Sequence, residues 1–290
     1  ITYSIVTNVD KEHLDFYGSF ERLKKSFHNF IEKTPSFGKS FICIDDNNLK
    51  SVISNCKTKN FLTYGFNKNS NYQITNVKKK LDYSIFDLTL KFTGLKINKI
   101  KNIKVNLIGD HNISNATAAI AVALNLGIKI NKIKKALKKF LGIQRRFTKV
   151  FSVGKRDFFD DYAHHPTEIR AVIKSARQVN KDRKIICVFQ PHRYSRVKSL
   201  KKEFALSFKS CDAVVLCPVY SAGEKIKHNF DQNYFSKLIS RKSQVQVINI
   251  KDQNELKRYF NKNLFDNEMI ICMGAGSISN WIREMWRELK

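Results

Sequence analysis

Apolar positions along this chain follow two rhythms, one of two residues and one of three to four. Their alternation predicts an α/β protein with mainly parallel sheets. An opening strand-like run, TYSIVTN, gives way to Phe20, Leu23, Phe27, Phe30 and Ile31, whose spacing predicts a helix over residues 20–32. A strand over 40–44, a short helix after Asp46 and a strand over 61–64 follow. Residues 71–108 turn strand-rich (YQITNVKK, YSIFDLTLKF, IKVNLIG) and predict an antiparallel patch. The run ATAAIAVALNLG is small and apolar on most sides, which predicts a buried helix over 113–126 ended by Gly127. A helix over 132–140 closes this region, and Gly142 marks a boundary between domains at 1–143 and 144–290.

Beyond the boundary, two short strands over 147–153 and 156–162 are joined by a turn at Gly154, and Pro166 opens an amphipathic helix over 167–178. Strands over 184–189, 213–217, 244–248 and 269–273 then alternate with helices, the last of them over 278–289. That is the pattern of a doubly wound domain.

A chain of 290 residues with 42% hydrophobic content can build two cores and is not disordered. Its net charge of +28 suits anionic substrates such as nucleotides. The lysines are scattered beside Asn and Ile, as in Lys129-Ile130-Asn131-Lys132, with no aromatic-basic repeat. A compositional bias therefore explains the charge better than nucleic-acid binding does. The six cysteines (Cys43, Cys56, Cys187, Cys211, Cys217, Cys272) form no C-x-x-C pair and several lie in apolar strands, as reduced core residues of a cytoplasmic protein do. No apolar run in residues 1–290 reaches membrane-spanning length, and no signal peptide is expected.

The densest chemistry lies between Arg146 and His165, where a basic pair, Asp160, Asp161, Tyr162, His164 and His165 crowd the end of one strand and the start of a helix. Ligands of open α/β sheets bind at such a place. An adjacent histidine pair can equally face water or cap backbone groups. Gln190-Pro191-His192-Arg193-Tyr194-Ser195-Arg196 puts two guanidiniums after another buried strand, suited to gripping carboxylate or phosphate. Gly274-Ala275-Gly276-Ser277 follows a strand and opens a helix. It is either an anion cradle of backbone N–H groups or a tight turn without a ligand.

Gly38-Lys39-Ser40 has the last letters of a Walker A loop, but Lys33 stands where the first glycine belongs. The run also follows a helix and opens a strand, the reverse of a P-loop, so it reads as a turn. Asn112 suits a helix N-cap, whereas Asn115, one turn further, is placed to read an adenine edge. His13 stands among Asp10, Glu12 and Asp15, a loop histidine or a metal ligand.

The runs TNVDKEHLDFYGSFERLKKSF, GDHNISNATAAIAVALNLGI, GIQRRF, DDYAHHPTEIRAVIKSAR, FQPHRYSR, VYSAGE and GAGSI occur in this order over nearly the whole chain. Together they resemble the Mur ligases, most of all the branch that joins L-alanine to UDP-N-acetylmuramate. The resemblance implies the remainder of a P-loop-type central domain followed by a Rossmann-like domain. It also implies ATP-dependent amide synthesis: ATP phosphorylates the lactyl carboxylate, and the amine of L-alanine attacks the acyl phosphate. Mg²⁺ and cationic side chains offset the gathering negative charge. By motif match, His13 would be the Mg²⁺ ligand, Asn112 and Asn115 would lie at the adenine, and Arg146 and Asp161 would hold the nucleotide, Asp161 accepting from the ribose hydroxyls. Tyr162, His164, His192, Arg193, Arg196, Gly274, Gly276 and Ser277 would bind the substrates, with His164, Arg193 and Arg196 nearest the chemistry. The incoming amine must be neutral, and imidazole, with an ordinary pKa of about 6.5, suits that proton transfer. The motif assigns no single general base.

Two departures from the family pattern stand out. Ala163 replaces a glycine, a small change. The family's UDP-binding domain and Walker A loop belong ahead of Ile1, so the chain is expected to begin partway through a larger protein and to be inactive alone. The implied protein is cytoplasmic, a monomer or weak homodimer, with no nucleic-acid or membrane partner. Other readings are a recycling ligase that adds a tripeptide to UDP-N-acetylmuramate, a basic nucleic-acid-binding protein, and a non-catalytic remnant. The HRYSR run favours the alanine-adding branch over the recycling one.

Overall fold

The computed structural model describes residues 2–58, 60–80, 82–91, 98–224 and 230–286. The chain divides into two compact units, Ile1–Leu141 and Gly142–Lys290. The first unit runs β1 (Tyr3–Val6), α1 (Leu14–Tyr17), α2 (Phe20–Glu32), β2 (Lys39–Cys43), α3 (Asn47–Ser54), β3 (Phe61–Gly65), β4 (Tyr72–Lys79), β5 (Ser84–Leu90), β6 (Lys99–Val105), α4 (Asp110–Asn125) and α5 (Ile130–Lys139). Its six strands lie side by side in chain order. β1 to β4 are parallel, and the β4-β5-β6 meander is antiparallel, as the strand-rich stretch predicted.

Local chemistry explains these elements. Ser19 and Asp46 cap α2 and α3 by accepting from the amides of Arg22 and Leu49. The Walker-like run is a structural turn: Ser40 is buried, with its hydroxyl 2.7 Å from those of both Ser4 and Thr34. A Cβ on Gly38 would come within 2.4 Å of the Thr2 carbonyl. The helix predicted over 113–126 starts earlier, at Asp110, because Gly109 turns the chain with φ 95°. Asn112 is therefore inside the first turn and is not the N-cap. Its side-chain NH₂ donates to the Ile108 carbonyl (2.8 Å). Ile113, Ala116, Thr117, Ala118, Ile120 and Ala121 form the buried face of α4, and Asn115 lies on the exposed side.

The second unit runs β7 (Thr148–Val153), β8 (Arg156–Asp161), α6 (Pro166–Val179), β9 (Lys184–Phe189), α7 (Tyr194–Ser199), α8 (Lys201–Ala205), β10 (Ala213–Leu216), α9 (Gln232–Ser243), β11 (Gln246–Asn249), α10 (Gln253–Asn263), β12 (Glu268–Met273) and α11 (Ile278–Met285). The strand order is β11-β10-β9-β12-β8-β7, parallel except for the β7–β8 hairpin. Period-two geometry divides each central strand between two cores. Ile185, Cys187, Phe189, Ile271 and Met273 pack with Ile173, Phe204, Phe208 and Phe235 on one face. Ile186, Val188, Ile270 and Cys272 pack with Leu256, Phe260, Ile278 and Ile282 on the other. Both faces are dry, so these strands read as unbroken apolar runs. Each fully buried Phe, Ile or Leu side chain contributes about 1.5–3 kcal/mol, which holds the helices against both faces. The strand predicted to start at residue 244 begins at Gln246, because Gln244 closes α9 in the left-handed conformation (φ 56°). The predicted last helix is seen to Met285, and residues 287–290 lie outside the described residues.

All six cysteines are free and buried, as expected of core residues. Among the described residues, no helix is long and apolar enough to cross a membrane.

Candidate active site

Loops leaving the carboxyl ends of β8, β9, β10 and β12 meet in the second unit. β9 and β12 are neighbours there, and β12 also borders β8, so residues far apart in sequence face one another. After β8, the fully buried Asp160 binds α11 through Ser279 Oγ (2.5 Å) and Arg283 Nη2 (3.1 Å), with Arg145 Nε 4.0 Å from its other oxygen. Asp161 is only 3% exposed and points inward. Its carboxylate oxygens accept from the amides of Phe147 and Ala163, each at 2.7 Å. Burial raises its pKa to about 6 against the pull of those amides and of Arg146. Through these two bonds Asp161 braces the backbone on either side of it.

Ala163 is fully buried in the core and is not among the residues with positive φ, so the methyl group at this position is accommodated. The two histidines divide the two readings of the pair between them. His165 is the N-cap of α6, with Glu168 completing a capping box. His164 turns toward Tyr162 and His192, with ring centroids at 5.0 and 5.7 Å. Its Nδ1 lies 2.9 Å from the Tyr162 carbonyl. A carbonyl only accepts, so Nδ1 is the donor in this contact.

After β9, His192 stacks on Tyr220 at 5.6 Å, and Arg196 donates to His192 Nδ1 at 3.0 Å. Burial, followed by the charges of Arg196, His164 and Arg193, pushes the His192 pKa down to about 4. It is therefore a neutral acceptor that orients the Arg196 guanidinium. Arg193 has φ 67°, rare for a residue with a side chain, and its amide donates to the Tyr220 carbonyl (2.8 Å). Beside it, Glu224 accepts from the Ser195 hydroxyl and has a lowered pKa, burial being outweighed by the hydrogen bonds from Ser195.

After β12, the glycine loop packs as a tight turn against β9. Gln190 Oε1 accepts from the Ile278 amide and Gln190 Nε2 donates to Ser277 Oγ, both at 3.0 Å. A Cβ on Gly276 would lie 2.5 Å from Gln190 Oε1 and from the Tyr220 ring, and one on Gly274 would lie 2.7 Å from the Gln190 carbonyl. Of the N–H groups at the start of α11, that of Ile278 is already taken by Gln190.

Sequence reasoning assigned no role to Gln190, Tyr220, Asp160 or Arg145. The pair Arg145-Arg146 was visible, but the inward member is Arg145. Its Nη2 donates to the Gly274 carbonyl (2.7 Å), and its guanidinium lies 4.7 Å over Tyr162. Arg146 is half exposed, 3.8 Å from Glu168.

Asn112, Asn115 and His13 belong to the first unit. His13 is exposed and heads α1 in a left-handed conformation (φ 53°, ψ 32°). Among the described residues, no group of three His, Cys, Asp or Glu ligand atoms includes it. Mg²⁺ takes oxygen ligands, and His13 offers a ring nitrogen.

Residues 1–123 match the Mur ligase middle domain, and residues 145–276 match the Mur ligase domain described as the glutamate ligase domain. A UDP-N-acetylmuramate–L-alanine ligase of Pelagibacter ubique is 52% identical over 98% of this chain. The chain belongs to the Mur ligase family. A second UDP-N-acetylmuramate–L-alanine ligase, from Dinoroseobacter shibae, is 36% identical to this Mur ligase chain over the same share. The chain spans 61% and 60% of the lengths of these two relatives.

Among solved structures, the UDP-N-acetylmuramate-alanine ligase of Thermotoga maritima matches with a TM-score of 0.76 at 24% identity, over 100% of this chain and 60% of that one. The MurF ligase of Thermotoga maritima in complex with ADP matches with a TM-score of 0.72 at 16% identity, over 99% and 62%. These likenesses show the Mur ligase fold, and they bear out the α/β class and two-sheet architecture predicted from periodicity.

Proposed function

We propose that this chain is part of an ATP-dependent ligase that joins L-alanine to the lactyl carboxylate of UDP-N-acetylmuramate through an acyl phosphate. The observation that carries the reading is the 52% identity to a ligase of that name over 98% of the chain. The convergence of Tyr162, His164, His192 and Arg196 at the strand ends supports it.

A carboxylate resists nucleophiles until an oxygen becomes a phosphate leaving group, and ATP supplies that phosphate. In this scheme Arg193 and Arg196 bind the anionic carboxylate and acyl phosphate, where guanidiniums stabilise the charge that develops. His192 stays neutral and aims Arg196. His164, fixed through Nδ1, offers Nε2 to the proton of the attacking amine. Asn112, Asn115 and Arg146 are the proposed nucleotide contacts, with Asp161 bracing the strand start that carries Arg146. In this reading residues 1–143 form the nucleotide-binding part and residues 144–290 the ligase domain.

The test is ADP release by the full-length protein with UDP-N-acetylmuramate, ATP and Mg²⁺. Release that requires L-alanine, with label from alanine entering the nucleotide sugar, is expected. Release that requires a tripeptide instead would assign the recycling reaction. Residues 1–290 contain no Walker A sequence, so this chain by itself is expected to release none.

A further inference from the structure

We propose that His28, Glu32 and Cys56 of the first unit form a binding site for a divalent transition metal of the zinc class. His28 and Glu32 stand four residues apart in α2 and project from one face. Cys56 follows Asn55, the C-cap of α3. One ligand atom from each of the three lies within 4.8 Å of the other two, and His28 Nε2 is 4.0 Å from Glu32 Oε1. Donors around a tetrahedral zinc ion, bound at about 2.0–2.3 Å, sit roughly 3.3–3.8 Å apart. Small side-chain movements therefore close the triangle, and water supplies the fourth ligand.

The donor set selects the ion. Imidazole nitrogen, thiolate sulfur and carboxylate oxygen suit zinc, whereas Mg²⁺ and Ca²⁺ take oxygen alone. The surroundings orient the donors as the outer hydrogen bonds of metal sites do. Glu32 Oε1 accepts from the amides of Lys57 (2.5 Å) and Thr58 (3.2 Å), which leaves Oε2 as the second carboxylate oxygen. His28 Nδ1 is 3.4 Å from Asn29 Oδ1, so the second ring nitrogen has a partner when Nε2 ligates.

Without metal, Nε2 meets the Asn55 carbonyl at 3.2 Å, and the Cys56 thiol donates to the Val52 carbonyl at 3.5 Å. On binding, the imidazole takes its Nδ1–H tautomer and the thiol proton passes to solvent, so one proton is released per ion at the sulfur. A surface cleft of about 360 Å³, lined by Glu21, Lys24, Lys25, His28, Ser51 and Asn55, opens beside the imidazole and gives the ion a way in. Lys24 there is paired with Glu21 at 2.7 Å. The bound ion would tie the last turn of α2 to the end of α3. The proposal is independent of the ligase reading, because none of its three residues is among the substrate or nucleotide contacts that reading names.

The test uses the full chain, stripped of metal with a chelator. Zn²⁺ is titrated in competition with a chromophoric chelator, and Co²⁺ is followed by absorption. The expected result is one equivalent bound, a raised unfolding midpoint and a thiolate-to-cobalt charge-transfer band. Cys56→Ser should abolish the band, and His28→Ala and Glu32→Gln should each weaken Zn²⁺ binding by at least about tenfold, with circular dichroism unchanged. Substoichiometric binding, or a full equivalent that survives both Cys56→Ser and His28→Ala, overturns the site. Glu32→Gln keeps an oxygen for the amides of Lys57 and Thr58, so a fold lost in one variant leaves the others decisive.

Discussion

Replacing Gln190 by leucine separates the hydrogen bonding of the loop junction from its packing. The side chain is 3% exposed, and leucine nearly conserves its volume. What it cannot conserve is the acceptor for the Ile278 amide or the donor to Ser277 Oγ, both bonds of 3.0 Å. The Ile278 N–H belongs to the first residue of α11 and has no carbonyl one turn back to receive it. A buried donor left unsatisfied costs about 1–3 kcal/mol, and loss of an ordinary hydrogen bond adds about 0.5–1.5 kcal/mol. The expected destabilisation is about 2–4 kcal/mol, and Ser277→Ala, which loses only the second bond, should cost about 1 kcal/mol.

The chain's two tryptophans, Trp281 and Trp286, lie in α11 and at its C-cap. Fluorescence in urea therefore reports on this junction, and with a slope of about 2 kcal/mol/M the leucine variant should shift the midpoint by about 1–2 M. A leucine variant no less stable than Ser277→Ala would show that the Ile278 amide does not depend on Gln190.

Two further outcomes follow from backbone and charge. Arg193 has φ 67°, so Arg193→Gly should be more stable than Arg193→Ala by about 1–2 kcal/mol. Equal urea midpoints for the two would remove the claim of strain, whereas ligase activity of the full-length protein should fall in both. The second outcome concerns pH. His192, lowered to about 4, contributes stability that is present above its unfolded value near 6.5 and lost as pH falls through 4. Asp161, raised to about 6, contributes stability that is present below its unfolded value near 3.9 and lost as pH rises through 6, a loss on the order of 2–3 kcal/mol. Unfolding free energies of the wild type minus His192→Gln should therefore rise between pH 4 and 6.5, and those of the wild type minus Asp161→Asn should fall over nearly the same window. Parallel difference curves would refute the assignment.

The parts of this molecule that were legible in its sequence are those decided by nearest neighbours. KIICVF and MIICM read as buried strands because both of their faces meet a dry core. Pro166 read as a helix start because its missing N–H is harmless in the first turn. The start of α4 was misread because Gly109 sets it through a φ of 95°, which leaves no mark on the apolar rhythm. The choice between Arg145 and Arg146 was equally hidden. Both are cations beside an apolar strand, and the inward turn of Arg145 comes from positive φ at Arg145 and Phe147, neither of them a glycine.

The site itself lay mostly beyond local reading, because its defining bonds cross from one loop to another. Gln190 reaches Ser277 and Ile278, Arg145 reaches Gly274, and Asp160 reaches Ser279 and Arg283. Motifs named the charged residues at the strand ends, but the groups that aim them are uncharged or buried and belong to other strands. His192 shows why the distinction matters. A charged imidazole could not accept from Arg196, and its depressed pKa arises from burial reinforced by the cations that flank it. Burial, with those cations, keeps His192 neutral, and the neutral ring in turn fixes Arg196. Neutralising Arg193 should therefore alter the aim of Arg196 as well as its own contact, so Arg193 and Arg196 should behave non-additively in a double-mutant cycle.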